Sequence, residues 1–251
     1  MRSRHKMPIE HYLSLMNLEK TYWWHQLRFE KALIFLNQHL PSFDRDLKLA
    51  DLGCGTGGFL MFLKMRGWDD IKGYDASPLA LEILRKRNIA CESIDLESPF
   101  ILESGPYDGF IAMDLLEHIY QESALLKAMH CNLKPEGLLF LTVPALSHLY
   151  SGWDEQLNHY RRYSCKQMRL LLTSNRFHVL RIEYFFSFLY PIALWRKWGW
   201  KKGELKGCCE FPPVTPRLNI LLKWLGRLEH TISDHLSPPF GVSLAAIARK
   251  I

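Results

Sequence analysis

One stretch limits what this chain can fold into more than any other: an apolar run that breaks into glycines and then resumes. Residues 47–60 read LKLADLGCGTGGFL, apolar to Leu52, then Gly53, Gly55, Gly57 and Gly58, with a helix-like run over residues 59–65. That order predicts strand, tight turn and helix. Glycines at 53, 55 and 57 permit positive φ and carry no Cβ, so backbone N–H groups can come close to a ligand. The turn alone leaves the ligand open. Gly53-x-Gly55-x-x-Gly58 suits a dinucleotide, and Gly53-x-Gly55-x-Gly57 suits a nucleoside joined to an amino acid.

Acids spaced along the next ninety residues narrow the choice. Residues 71–75 (IKGYD) predict a second strand ending in a carboxylate, about 20 residues on, where an acid can bind a ribose. Ile94-Asp95-Leu96 places another acid at the end of a third strand. Residues 108–114 (DGFIAMD) predict a fourth with Asp114 at its carboxyl end, and residues 137–144 (GLLFLTVP) a fifth. DLGCGTG, GYDAS, IDLE, DLLEHI and GLLFLTVP, in that order over residues 48–145, resemble the class I S-adenosylmethionine-dependent methyltransferases of the type-11-like group. The resemblance implies a Rossmann-like α/β fold with a doubly wound, seven-stranded, mostly parallel sheet. It also implies S-adenosylmethionine as cofactor and S-adenosylhomocysteine as product. At the matching positions, Asp51 and the backbone of Gly53, Gly55 and Gly57 would face the methionine end, flanked by Asp114. Asp75-Ala76 would meet the ribose, with two carboxylate oxygens for two hydroxyls. Asp95 would accept the adenine amino group, and the Leu96 N–H would face the ring.

Composition bounds the rest. A chain of 251 residues, 48% hydrophobic and 23% charged, is globular and fits one elaborated α/β domain. The net charge of +6 suits an anionic partner: nucleic acid, an acidic lipid surface or a phosphorylated substrate. Six cysteines without a CxxC pair point away from zinc or a disulfide framework and toward a reducing cytosol. The basic start, MRSRHKMPIEHY, has no apolar stretch behind it, so no signal peptide is expected and the expected location is cytoplasmic.

Residues 1–46 predict a helical lid, two helices broken near Thr21 with the aromatic knot Tyr22-Trp23-Trp24-His25 between them. Trp24 is a candidate acceptor contact, and docking of the helices on the sheet is the plainer role for these rings. Residues 47–186 and 240–251 make the cofactor domain, with a sixth strand at 177–186 and a seventh at 242–249 that the resemblance places antiparallel between the fifth and sixth. Residues 187–239 are a helical insertion. There, apolar residues 185–195 are followed by Arg196-Lys197 and Trp198-Gly199-Trp200-Lys201-Lys202, too short to span a bilayer but suited to its surface. A helix at 218–236 comes next. A cap on the domain or a homodimer interface serves these residues equally.

Two segments carry candidate acceptor chemistry. If a helix starts at Asp114, Asp114, Glu117 and His118 share one face. That arrangement resembles ubiquinone-pathway O-methyltransferases, where this turn can hold a divalent metal. With no further ligand evident, the expectation is a pocket-facing histidine and no metal. Residues 147–164 (SHLYSGWDEQLNHYRRYS) are too polar and aromatic for a core element, and Ser164 is a helix N-cap. His159 is the leading general base or positioner, Tyr160 a wall of the pocket, and Arg161 and Arg162 a clamp for phosphate or carboxylate. Alternatively both arginines lock onto Asp154 and Glu155. The expected activity is O-methylation of a small or lipid-like acceptor. RNA, DNA or protein methylation, or cofactor binding by a scaffold, is the alternative. Nucleic acid is disfavoured, because the 114–117 turn lacks an Asn/Asp-Pro-Pro-aromatic element and no Pro-Cys nucleophile is present.

Overall fold

The computed structural model describes residues 9–39, 47–199 and 213–251. Trp200-Lys201-Lys202, and Leu40 at the end of the expected lid, lie outside them. Two helices, α1 (Ile9–Thr21) and α2 (Trp23–His39), precede β1 (Leu49–Leu52) and α3 (Gly58–Lys64). The chain then alternates β2 (Ile71–Asp75), α4 (Pro78–Lys86), β3 (Ala90–Ser93), β4 (Tyr107–Met113), α5 (Glu122–Asn132) and β5 (Leu133–Pro144). Short α6 (Gly152–Gln156), α7 (Cys165–Ser174) and β6 (Phe177–Phe185) come after it, then α8 (Tyr190–Gly199), α9 (Pro216–Ser233) and β7 (Ser243–Lys250).

The seven strands form one sheet in the order β3-β2-β1-β4-β5-β7-β6. β1 to β5 pair in parallel, and β7 runs antiparallel to both β5 and β6, as the resemblance implied. Alternate strand residues enter two cores. Leu49, Ile71, Ile111 and Phe140 pack with α2 and α3 on one face; Leu52, Phe110, Leu139 and Leu141 pack with α5 and α7 on the other. Burial on both faces is why these strands read as unbroken apolar runs.

Three expectations shift. β3 stops at Ser93, so Ile94-Asp95-Leu96 lies in the turn beyond it, where Asp95 Oδ1 accepts the Glu97 N–H at 3.1 Å. No helix begins at Asp114: it takes a left-handed φ of 50°, and a single 3₁₀ turn (Leu116–His118) comes after it. Phe185 and Phe186 are fully buried, so they belong to the core rather than to any surface contact. Ser164 does cap α7, in a reciprocal box with Gln167. Among the described residues no helix is long and apolar enough to cross a membrane.

Candidate active site

β1 runs into the glycine turn at the carboxyl edge of the sheet. Gly55 and Gly57 both have positive φ, but for different ends. A Cβ on Gly57 would fall 2.3 Å from Leu84 on α4, so this glycine serves the packing of α3 and not a ligand. On Gly55 the nearest side chain is 3.8 Å away, on Leu15, and the open side faces a cavity. Asp75 braces the same turn. Its Oδ2 accepts the Gly55 N–H at 2.9 Å and its Oδ1 the Ser77 N–H at 2.8 Å. Burial raises its carboxyl above the usual range, against the pull of these N–H groups. From α1, Glu19 reaches the turn as well, accepting the Thr56 hydroxyl at 2.5 Å, with Arg87 3.6 Å away.

The cavity beside this turn has a volume of about 460 Å³, within the range of small-molecule sites. Five carboxyl side chains line it: Glu19, Asp51, Asp75, Asp114 and Glu117. Arg28 and Arg162 are its guanidinium groups. Burial pushes Asp51 well above the ordinary carboxyl range, and Glu19 and Asp75 push it further. Such a wall favours a cationic ligand, which would relieve the crowding of like charges. Asp114 belongs to the wall but is already paired, with Arg28 at 3.0 Å and the Thr142 hydroxyl at 2.9 Å. The face it was expected to share with Glu117 and His118 therefore does not form. Gly57, Ala76, Asp95 and Leu96 do not line the cavity; Ala76 and Asp95 are exposed and Leu96 is packed in the core.

The other end is built by the segment after β5. His159 Nδ1 lies 3.0 Å from Asp154 Oδ1, and Asp154 is fully buried. A carboxylate only accepts, so Nδ1 is the donor to Asp154 and Nε2 is the ring nitrogen left for another partner. Burial alone would raise Asp154, but His159, Arg162 and the Ser151 N–H hold it below the usual carboxylate range. Arg162 is locked here, with its Nε 2.8 Å from Asp154 and an NH1 bond of 3.2 Å to the Ala145 carbonyl. Arg161 instead pairs with Glu122 and the Tyr120 carbonyl. Neither arginine is a free clamp, and Glu155 holds neither. Tyr160 does not wall the cavity: its ring is 43% exposed and packs edge-on against Tyr120. Its contribution is backbone, an N–H donated to the Glu117 carbonyl at 2.7 Å. Trp24 does line the cavity, 4.4 Å between centroids from Phe186.

His118 and His159 meet edge to face at 4.8 Å. Burial, then His159, lowers His118 to a pKa of about 4, so its ring is neutral at neutral pH. Glu117 is fully buried, neither of its carboxyl oxygens has a hydrogen-bond partner among the described residues, and burial raises its pKa strongly. One ligand atom from each of Glu117, His118 and His159 lies within 4.8 Å of the others. Asp114 was the expected third group, and His159 takes that place from a distant segment. Sequence reading missed Glu19 and Arg28 altogether, since both act through residues far along the chain and neither sits in a motif.

A carboxylate-braced glycine turn under a parallel sheet, closed by an antiparallel last strand, defines a nucleoside-binding enzyme of methyltransferase architecture. The model of the methyltransferase domain family matches residues 23–183, and the chain belongs to that family. It is a class I S-adenosylmethionine-dependent methyltransferase. It is 27% identical to a ubiquinone biosynthesis O-methyltransferase of Neisseria meningitidis over 133 residues, 48% of this chain and 56% of the relative. It is 31% identical to one of Acinetobacter baumannii over 102 residues, 38% and 43% of the two chains. The chain thus spans about half the length of the curated relatives it matches. In fold it is similar to a methyltransferase of Thermotoga maritima described as a possible histamine N-methyltransferase. The TM-score is 0.59 at 19% identity, covering 97% of this chain and 96% of that one. Plantazolicin methyltransferase BpumL, solved with S-adenosylhomocysteine, gives 0.59 at 17% identity, covering 96% and 89%.

An acidic wall that receives a cationic cofactor makes its affinity pH-dependent. A bound cation favours ionised Asp51, whose carboxyl is raised in the free protein. The affinity linked to it is complete above that raised pKa and is lost as pH falls through it. Calorimetric titrations of S-adenosylmethionine at descending pH show weakening toward acid, and Asp51→Asn gives a flatter profile at lower affinity.

Proposed function

We propose that this methyltransferase transfers the methyl group to an oxygen of a small, partly apolar acceptor, with His159 as general base. The observation that supports this is the Asp154–His159 bond of 3.0 Å in a histidine that lines the cavity, which engages Nδ1 and leaves Nε2 for an acceptor. Gly55 and Asp75 hold the adenosyl part, and Arg28 is the buried cation suited to the methionine carboxylate. The acceptor enters between Trp24 and Trp153, whose faces suit a flat or lipid-like molecule. Bound S-adenosylmethionine would supply the methyl group and leave as S-adenosylhomocysteine, while His159 Nε2 would take the proton of the acceptor hydroxyl and Asp154 would stabilise the imidazolium. The names of the Neisseria and Acinetobacter relatives support an oxygen acceptor. Release of S-adenosylhomocysteine with a polar-lipid extract, and none with RNA or DNA, is the expected result. The reverse pattern overturns the reading.

One observation favours a second reading of the same residues. The unpartnered Glu117 carboxyl beside two imidazoles is a donor set suited to a divalent cation. Glu117, His118 and His159 would hold it, and it would supply Lewis-acid polarisation of an acceptor oxygen. In the same assay, turnover that survives chelation keeps His159 as base. Turnover lost to chelation and restored by a divalent cation installs the second reading.

A further inference from the structure

Helix α9 buries polar groups and exposes apolar ones. Its face toward α2 and β6 carries polar side chains beside Leu222, which packs on the core, and Gly226, which lies against Leu27. Asn219 accepts the Trp23 N–H at 2.9 Å and donates to the Thr21 carbonyl at 3.0 Å. Glu229 accepts the N–H groups of Phe186 and Ser187, each at 2.7 Å, and the Ser233 hydroxyl takes a 3.0 Å bond from Lys31. The opposite face leaves Ile220 (67% exposed), Trp224 (59%), Leu228 (44%) and Ile232 (49%) in water. They stand four residues apart, so they form one ridge, about 18 Å long at 1.5 Å per residue. A surface helix of a water-soluble domain has the opposite arrangement. Among the described residues nothing in the packing explains this ridge, because the opposite face makes the contacts of α9 with the domain.

Charge selects the occupant. The unburied charged side chains of α9 are Arg217, Lys223 and Arg227, and its one acid, Glu229, is turned inward. Arg227 also pairs with Glu30 on α2. Residues 187–239 hold eight Lys and Arg against four Asp and Glu, so +4 of the chain's +6 lies in this segment. A two-fold pairing of copies through the ridge would bring one set of cations against the same set. Anionic headgroups neutralise them instead, while the apolar ridge enters the headgroup–acyl boundary and the Trp224 ring rests at it.

We infer that α9 docks this protein flat on an anionic bilayer, with Ile220, Trp224, Leu228 and Ile232 inserted and Arg217, Lys223 and Arg227 against the headgroups. Of the segment read from sequence, Phe185 and Phe186 are core residues while Ile192 (53%) and Trp195 (74%) on α8 are exposed, and α9 adds the longer ridge. Asn219 joins α9 to the start of α2, one residue from Trp24 at the cavity wall, so a docked face lies beside the acceptor side. The inference stands whatever the acceptor atom is.

The test is flotation of the full chain with vesicles of phosphatidylcholine and phosphatidylglycerol in equal parts, and with phosphatidylcholine alone. The protein floats with the anionic vesicles only, and salt weakens the binding. Ile220→Ser with Trp224→Ser lowers the vesicle affinity about tenfold or more. An unchanged S-adenosylmethionine titration shows that this double variant is folded, since neither residue lines the cavity. Absence of binding to anionic vesicles, or undiminished binding by the double variant, overturns the inference. So does a dimer in sedimentation that the double variant dissociates while vesicles are ignored, which would make the ridge a subunit interface.

Discussion

Asp75→Ala lowers the affinity for S-adenosylmethionine by about a hundredfold or more, while the protein remains folded. The side chain has two separate tasks on one small group. Its oxygens hold the Gly55 and Ser77 N–H groups and so fix the glycine turn, and in the site proposed above the same carboxylate, which lines the cavity, also accepts the ribose diol. Charge-assisted hydrogen bonds contribute about 1.5–3 kcal/mol each, so loss of two reaches this range before any loosening of the turn is counted. Asp75→Asn separates the tasks: one amide oxygen can still brace Gly55, while bidentate acceptance is gone. Isothermal titration with both variants reads the difference. Near-wild-type affinity in Asp75→Ala would remove the cofactor site from this turn.

The second large effect is on turnover. His159→Ala reduces kcat by about 10²–10⁴-fold, the span of general base catalysis, with cofactor affinity little changed in the role proposed above, where His159 meets the acceptor. Asp154→Asn also slows turnover through a different defect. An amide at that position can present its N–H to Nδ1, which would push the proton onto Nε2 and remove the lone pair from the cavity. A pH–rate profile separates the two variants: a step taken by a general base slows on the acid side, so His159→Ala loses that limb, whereas Asp154→Asn keeps a displaced one. Turnover unaffected by His159→Ala would leave methyl transfer to alignment alone.

These sites were legible in the sequence to the extent that they depend on local pattern. β1, β2, β4 and β5 are buried on both faces, so their apolar runs and terminal acids could be read directly. β3 is an edge strand with exposed side chains, and its end was misplaced because no burial pattern marks it. The same limit applies to residues 159–162. His159 and Arg162 face the cavity while Tyr160 and Arg161 face away, and the backbone path that sorts them depends on Asp154 being buried beneath. Residue type suggested chemistry for all four. Glu19 and Arg28 show the opposite failure, side chains whose meaning comes only from partners brought near by the fold. For α9 the periodicity showed an amphipathic helix but could not show which face would be turned inward.

The placement of β7 has a consequence for synthesis on the ribosome. Ser243–Lys250 sits between β5 and β6, and the first six of its eight residues are buried. Until that segment has left the exit tunnel, two long strands have open flanks and no shared neighbour. The nascent chain must therefore keep an unfinished sheet from sticking to others, and closure of that sheet waits on the strand made last of the seven.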